Sequence, residues 1–350
     1  MKTYPTIFII PTGIGCEIGG FAGDAIPTAK LLASASGCLV THPNVMNGGS
    51  LGTTDERIFY VEGYSLDRFA RGEIGLRKVN QQKLGIIFDS SIDDEILLRH
   101  LQVADACKAT LGIEVNSYLK TDEPLGIIIN EKNSNSSGGY IKNPSSLLNA
   151  GKHLLKQGIT AIAVVTKFPN DLDTEDLNLY RAGKGIDIIA GVEAVISHLI
   201  SKYLKVPCAH APALVPLELI NNLDPRAAAE EIGYTFLPSV LIGLNKAPDL
   251  IDLPNIDSQI NLYPNDIKSI VVPNEALGGE AVLACIERQI KVIAVRNKCF
   301  LNVNNSLMAY KNVITVENYF EAAGLILSAR EGIYHESITR PITSIEELNK

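Results

Sequence analysis

Residues 7–45 read IFIIPTGIGCEIGGFAGDAIPTAKLLASASGCLVTHPNV, and this stretch decides the fold class. Residues 7–10 form a short apolar run of strand type. The loop after it carries Gly13, Gly15, Gly19, Gly20 and Gly23. A helical pattern follows over roughly 24–35. Residues 38–40 then open a second strand that ends in Thr41-His42-Pro43-Asn44. Strand, glycine loop, helix and strand make a βαβ unit. Its loop lies at a helix N-terminus, where unpaired backbone N–H groups and the positive end of the helix dipole suit an anion.

The same alternation continues outward. Residues 83–89 (KLGIIFD) read as a strand. Ser90 or Ser91 is placed to cap a helix reaching about residue 111, and 125–129 is another strand. Residues 130–139 (NEKNSNSSGG) are polar and mark a loop or a boundary between lobes. Beyond them come helices over 144–157, 191–204 and 225–231 and strands over 161–165, 206–209, 267–272, 292–295 and 313–316. Such alternation predicts an α/β fold of mostly parallel sheet flanked by helices on both faces. We expect two lobes, residues 1–140 and 141–350, with a cleft at the carboxyl ends of the strands. The run Ile270-Val271-Val272-Pro273, then Gly278-Gly279, a helix and the strand at 292–295 echoes the opening plan. Two ordinary βα units explain that echo as well as a duplication does.

With 350 residues, 46% apolar and 20% charged, the chain is a globular protein with a sizeable core. The net charge is −8, and no segment concentrates Lys and Arg, so nucleic acid is not an expected partner. No stretch has the length to span a bilayer, and the opening MKTYPTIFIIPTG does not read as a signal peptide. The six cysteines form no C-x-x-C pair and read as reduced thiols in a cytoplasmic protein.

Ligands of open α/β sheets bind beyond the carboxyl ends of strands, where Thr12, His42, Asp89, Lys167, His210, Asn274, Arg296 and Glu317 are expected. His42 (THPNVMNGG) and His210 (PCAHAPAL) sit in extended, proline-constrained segments and are the candidate proton-transfer groups, with Glu62 (VEGYSLDRF) and Asp24 as carboxylate partners. Thr12, Gly13, Gly15, Gly19, Gly20, Asn44, Asn47, Arg68, Asn274, Gly278 and Gly279 are the candidate ligand-binding positions. Arg181 and Lys184 lie in a loop, YRAGKG, whose reading as a solvated surface outweighs a role with acidic substrates. His198 and His100 fall on helices and read as structural histidines. The spacing Gly13-x-Gly15-x-x-x-Gly19 is one residue off the dinucleotide fingerprint, and the second strand ends in His42 instead of an acidic residue, so NAD is not expected. A divalent metal held by His42, His210 and a carboxylate is one cofactor option.

Several segments together resemble the bacterial and chloroplast family called domain of unknown function 3326: PTGIGCEIGGFAGDAIP, THPNVMNGG, VEGYSLDRF, RHLQVADACKATLG, GVEAVISHLI, PCAHAPALVPL and PRAAAEEIGYTFLPSVLIGL. They extend from the start of the chain to about residue 245. The resemblance implies a bacterial-cytosol or plastid setting and carries no catalytic residue with it. From the residues, the expected function is an enzyme acting on a small, polar, anionic metabolite, a carboxylate or phosphate, by histidine and carboxylate acid–base chemistry. Isomerase, lyase and hydrolase reactions stay open. One alternative is a non-catalytic metabolite sensor. Another is a nicotinamide-dependent dehydrogenase, because Gly13-Ile14-Gly15-x-Glu17-Ile18 is similar over a short run to the opening of the isopropylmalate and hydroxythreonine-phosphate dehydrogenases. A homo-oligomer is expected only as soluble enzymes commonly form one.

Overall fold

The computed structural model describes residues 2–48, 55–130, 136–169, 174–231, 235–254, 260–345 and 347. Its strands are, in chain order, β1 (Thr6–Phe8), β2 (Leu39–Thr41), β3 (Ile58–Tyr60), β4 (Ile74–Arg77), β5 (Leu84–Phe88), β6 (Val115–Lys120), β7 (Ile127–Ile129), β8 (Gly139–Ile141), β9 (Ala161–Thr166), β10 (Cys208–Pro212), β11 (Asp249–Asp252), β12 (Ser269–Pro273), β13 (Lys291–Val295) and β14 (Val313–Val316). Two parallel sheets dominate. One has six strands in the order β14-β13-β12-β1-β2-β3, and the other has four in the order β10-β9-β5-β6. The pairs β4/β11 and β7/β8 are short antiparallel ribbons.

The expected α/β class is what forms. Helices Ile26–Ser36 and Tyr319–Glu331 pack together at the six-stranded sheet, and so do helices Gly63–Arg71 and Glu280–Glu287. In the four-stranded sheet the pleat sends alternate residues to opposite faces. Ala161, Ala163 and Val165 of β9 join the helices Asp94–Leu111 and Leu237–Asn245 in one apolar cluster, while Ile162 and Val164 join the helices Pro144–Lys156 and Ala190–Leu204 in another. Both faces are therefore buried, and β9 is an uninterrupted run of buried residues.

The strand order does not divide at residue 140. The chain leaves the six-stranded sheet after β3, builds the whole four-stranded sheet, and returns to lay β12 against β1, pairing Thr6 with Ser269. The boundary expected between 140 and 141 passes through β8 and separates β5 and β6 from β9 and β10 of the same sheet. The larger apolar cluster includes residues of both sheets and of the helix Leu237–Asn245 that packs against β9 and β10, so the sheets share a core. Two local expectations shift. The first strand is Thr6–Phe8, and the strand expected over 206–209 is β10, Cys208–Pro212, which places His210 inside the strand and in register with Val164. Within the polar segment 130–139, residues 131–135 lie outside the described residues.

Candidate functional site

A cavity of about 460 Å³ opens where segments that follow β1, β2, β3, β5 and β9 meet β10 and the start of helix Ala190–Leu204. Thr12, His42, Asn44, Asn47, Glu62 and His210 all line it. The sequence candidates from three strand ends and from β10 therefore converge on one space, as ligand sites in parallel sheets do.

The histidine and carboxylate groups are held as follows. His42 follows β2 directly, and its Nε2 accepts the Ile10 N–H at 3.2 Å. That bond assigns the proton to Nδ1. Burial, reinforced by the charge of His198, pushes the His42 pKa down to about 4, so the ring is neutral at pH 7. His210 Nδ1 lies 3.1 Å from Ser197 Oγ, and its Nε2 is 3.7 Å from Glu193 Oε2. Burial and His198 hold His210 down at about 3. His198 behaves in the opposite way. Burial pulls its pKa down, but Glu62 and then Asp67 outweigh that and raise it above the ordinary value. Its Nδ1 stands 2.6 Å from Glu62 Oε1, an ion pair whose angle falls outside hydrogen-bonding geometry. The His198 side chain is 41% accessible, so solvent moderates the rise, whereas Glu62 is buried. Glu62 is oriented by its second oxygen, which accepts the Ser65 N–H at 3.3 Å and caps the helix Gly63–Arg71.

His198 is the residue that sequence reasoning assigned to structure and the fold brings into the cavity, together with Glu193. The available signal was a polar set, Glu193, Ser197 and His198, at i, i+4 and i+5 in the first three turns of a helix whose other residues there are apolar or glycine. Lys167 and Arg181 also line the cavity, each in an ion pair: Lys167 with Asp93 at 2.8 Å and Arg181 with Glu231 at 2.8 Å. Arg181 is buried and not part of a solvated loop.

The remaining candidates lie elsewhere. Of the glycine loop, only Thr12 reaches the cavity among the named positions. Gly13 has φ +70°, and a Cβ there would stand 2.6 Å from Ser137 Oγ and 2.9 Å from Gly191 N, so three chain segments meet at this residue. Gly15 and Gly19 pack against Phe300 and Ile10, and Gly20 against the Cys16 backbone. Four of the loop's N–H groups have protein acceptors: Glu17 N donates to Lys298 O, Ile18 N to Asn297 Oδ1, Gly19 N to Asp24 Oδ1 and Ala22 N to Glu230 Oε1. Asp24, raised by burial to about 6, thus ties down the loop and does not line the cavity. Arg68 pairs with Glu73 and Asp252. Gly278 and Gly279 lead into a helix whose Ala281 N–H is taken by Asp67 Oδ1, and neither they nor Asn274 line the cavity. Asp89 is buried and accepts the Ser91 and Leu125 N–H groups, and Arg296 pairs with Glu317 on the surface. Among the described residues, no group of three or more His, Cys, Asp or Glu is disposed to hold a metal ion, and no helix is long and apolar enough to cross a membrane.

Fold and cavity together define an α/β protein with a histidine–carboxylate cavity at its strand ends. Residues 5–339 match the family described as protein of unknown function (DUF3326), and the chain belongs to that family. It is 43% identical over 333 residues, 95% of this chain and 92% of the relative, to the uncharacterized lipoprotein syc1174_c of Synechococcus sp. (strain ATCC 27144 / PCC 6301 / SAUG 1402/1). The name lipoprotein is at odds with the cytoplasmic setting expected from the sequence. No solved structure gives a significant match.

Proposed function

We propose that the protein is an enzyme that moves a proton on a small polar metabolite bound in this cavity. The observation that carries the reading is the Glu62–His198 pair, 2.6 Å apart, with an accessible imidazole on a buried carboxylate in a cavity that also holds two neutral histidines. The carboxylate orients the ring and favours its charged form, which suits His198 to general acid–base work near neutral pH. His42, with Nε2 tied to the backbone, serves better as a neutral Nδ1–H donor to an oxygen that gains charge than as a base. His210 and Ser197 position the far side of the substrate. Isomerase, lyase and hydrolase reactions all fit such groups. The anionic substrate expected from the glycine loop has less support, because four of the loop's N–H groups are engaged within the protein, the named glycines do not line the cavity and the cavity's Lys167 and Arg181 are paired. The free, buried cysteines support a cytoplasmic setting, against which the relative's name stands, and fractionation into membrane and soluble pools decides between them.

The test is to incubate the protein with a pool of small metabolites and follow it by mass spectrometry. We expect at least one compound to be converted by the wild type and its conversion to slow at least ~100-fold in His198→Ala, with a smaller loss in Glu62→Gln. A compound that binds and is never converted would identify a sensor and refute the enzyme reading. Undiminished conversion by His198→Ala would refute the role of the pair.

A further inference from the structure

A second set of ionisable groups in the same cavity has no part in the proton transfer just described. Asp187, Glu193 and Glu230 line it together with Tyr180. Glu230 Oε1 accepts from Tyr180 Oη at 2.6 Å and from the Ala22 N–H, and Asp187 Oδ1 accepts the Ile189 N–H at 3.0 Å. Glu193 is over nine-tenths buried, and its Oε1 is enclosed with no hydrogen-bond partner. An orphaned carboxylate oxygen of this kind costs stability unless a ligand completes it. Burial first, then Asp187 and Glu230, push Glu193 well above the usual carboxylate range, and burial and Asp187 push Glu230 up to about 8. The cations of the cavity wall do not relieve this repulsion, because Lys167 and Arg181 are paired with Asp93 and Glu231.

We propose that Asp187, Glu193 and Glu230 form the subsite for a primary ammonium group, so that the metabolite bound here is an amine. Three carboxyl groups in the lining of one cavity disfavour a phosphate or carboxylate beside them and favour a cation with several N–H donors. An organic ammonium fits better than a metal ion. A metal needs oxygens within about 2.0–2.6 Å of one centre, and no described triad is so disposed. Phe168 and Phe236, also in the lining, offer apolar surface to the carbon chain.

The proposal rests on the reading of this cavity as a substrate site. Its test is calorimetric titration of the full chain with n-butylamine, 1,4-diaminobutane and butyrate at pH 7.5. Both amines should bind saturably and butyrate at least tenfold more weakly. Glu193→Gln and Glu230→Gln should each weaken the amines at least tenfold. Asp105→Asn, which removes an exposed carboxylate outside the lining, should change them by less than twofold. The proposal is overturned if neither amine binds, if butyrate binds as well as butylamine, or if both glutamine variants behave like Asp105→Asn. Amine binding with undiminished turnover in His198→Ala would sink the acid–base reading and leave the subsite standing. His198-dependent turnover without amine binding would do the reverse.

Discussion

At the scale of single residues, the cavity separates groups that began with similar chemistry. His42, His198 and His210 share one space, yet two are driven neutral by burial and the third is drawn toward its charged form by Glu62. The carboxyl groups at the other end are driven toward their protonated forms. These shifts have consequences for stability with defined signs. Folded Glu230 keeps its proton up to about pH 8, while an ordinary glutamate releases it near 4.5. Its contribution is therefore complete below pH 4.5 and is lost as pH rises through 8. His42 and His210 are lowered, so theirs is complete above pH 6.5 and is lost as pH falls through about 4 and 3. Between pH 6.5 and 8.5 the carboxyl side acts, together with His198, whose raised pKa likewise makes stability fall as pH rises. Thermal melts over that window should show the wild-type Tm falling with pH and Glu230→Gln falling less. Parallel profiles for the two proteins would contradict the assignment.

At the scale of elements, two helices bring N-terminal residues to the site, the helix Ala190–Leu204 as far as His198. The helix Gly63–Arg71 is capped by the same Glu62 that faces His198, so one side chain starts the helix and sets the imidazole. Gly63 lies against that ring: a Cβ added there would stand 3.0 Å from His198 Cε1. Backbone strain does not forbid alanine, since Gly63 is not among the glycines with positive φ. Gly63→Ala should thus leave Tm unchanged or raise it slightly, the helix gaining up to ~1 kcal/mol, while displacing His198. The histidine proton resonances followed against pH should show the His198 titration move in this variant. An unchanged titration would mean that the ring has room to spare. The helix Ala190–Leu204 supplies Glu193, Ser197 and His198 from one side and buries Val192, Ile196 and Ile200 on the other.

At the scale of the whole molecule, the two parallel sheets behave as one body because a common apolar cluster runs through them. Leu241, fully buried in the helix Leu237–Asn245 between the sheets, is a fair probe. Leu241→Ala should cost about 2–5 kcal/mol and shift a single urea transition seen alike by near- and far-UV circular dichroism. Two separated transitions would show that the sheets unfold independently. The α/β class, the strand at 161–165 and the placing of Thr12 and His42 after strands were legible in the sequence, because hydrophobic periodicity and turn chemistry are local properties. His210 was legible as a cavity residue although its strand was set two residues early. The roles of the glycine loop and of His198 were not legible. A glycine loop before a helix suits an anion or a tight joint equally well, and only the arrival of Ser137 and Gly191 at Gly13 selects the joint. A polar residue on a buried helix is structural or functional according to what faces it, and Glu62 faces His198 from 136 positions away in the chain. The sequence by itself determined the α/β class and many of its strands and helices, and it offered His42, His210 and Glu62 as candidates for the chemistry. The tertiary structure decided which strands share a sheet, down to the pairing of Thr6 with Ser269, and which charges meet in the cavity, since both depend on contacts between distant segments that no local pattern encodes.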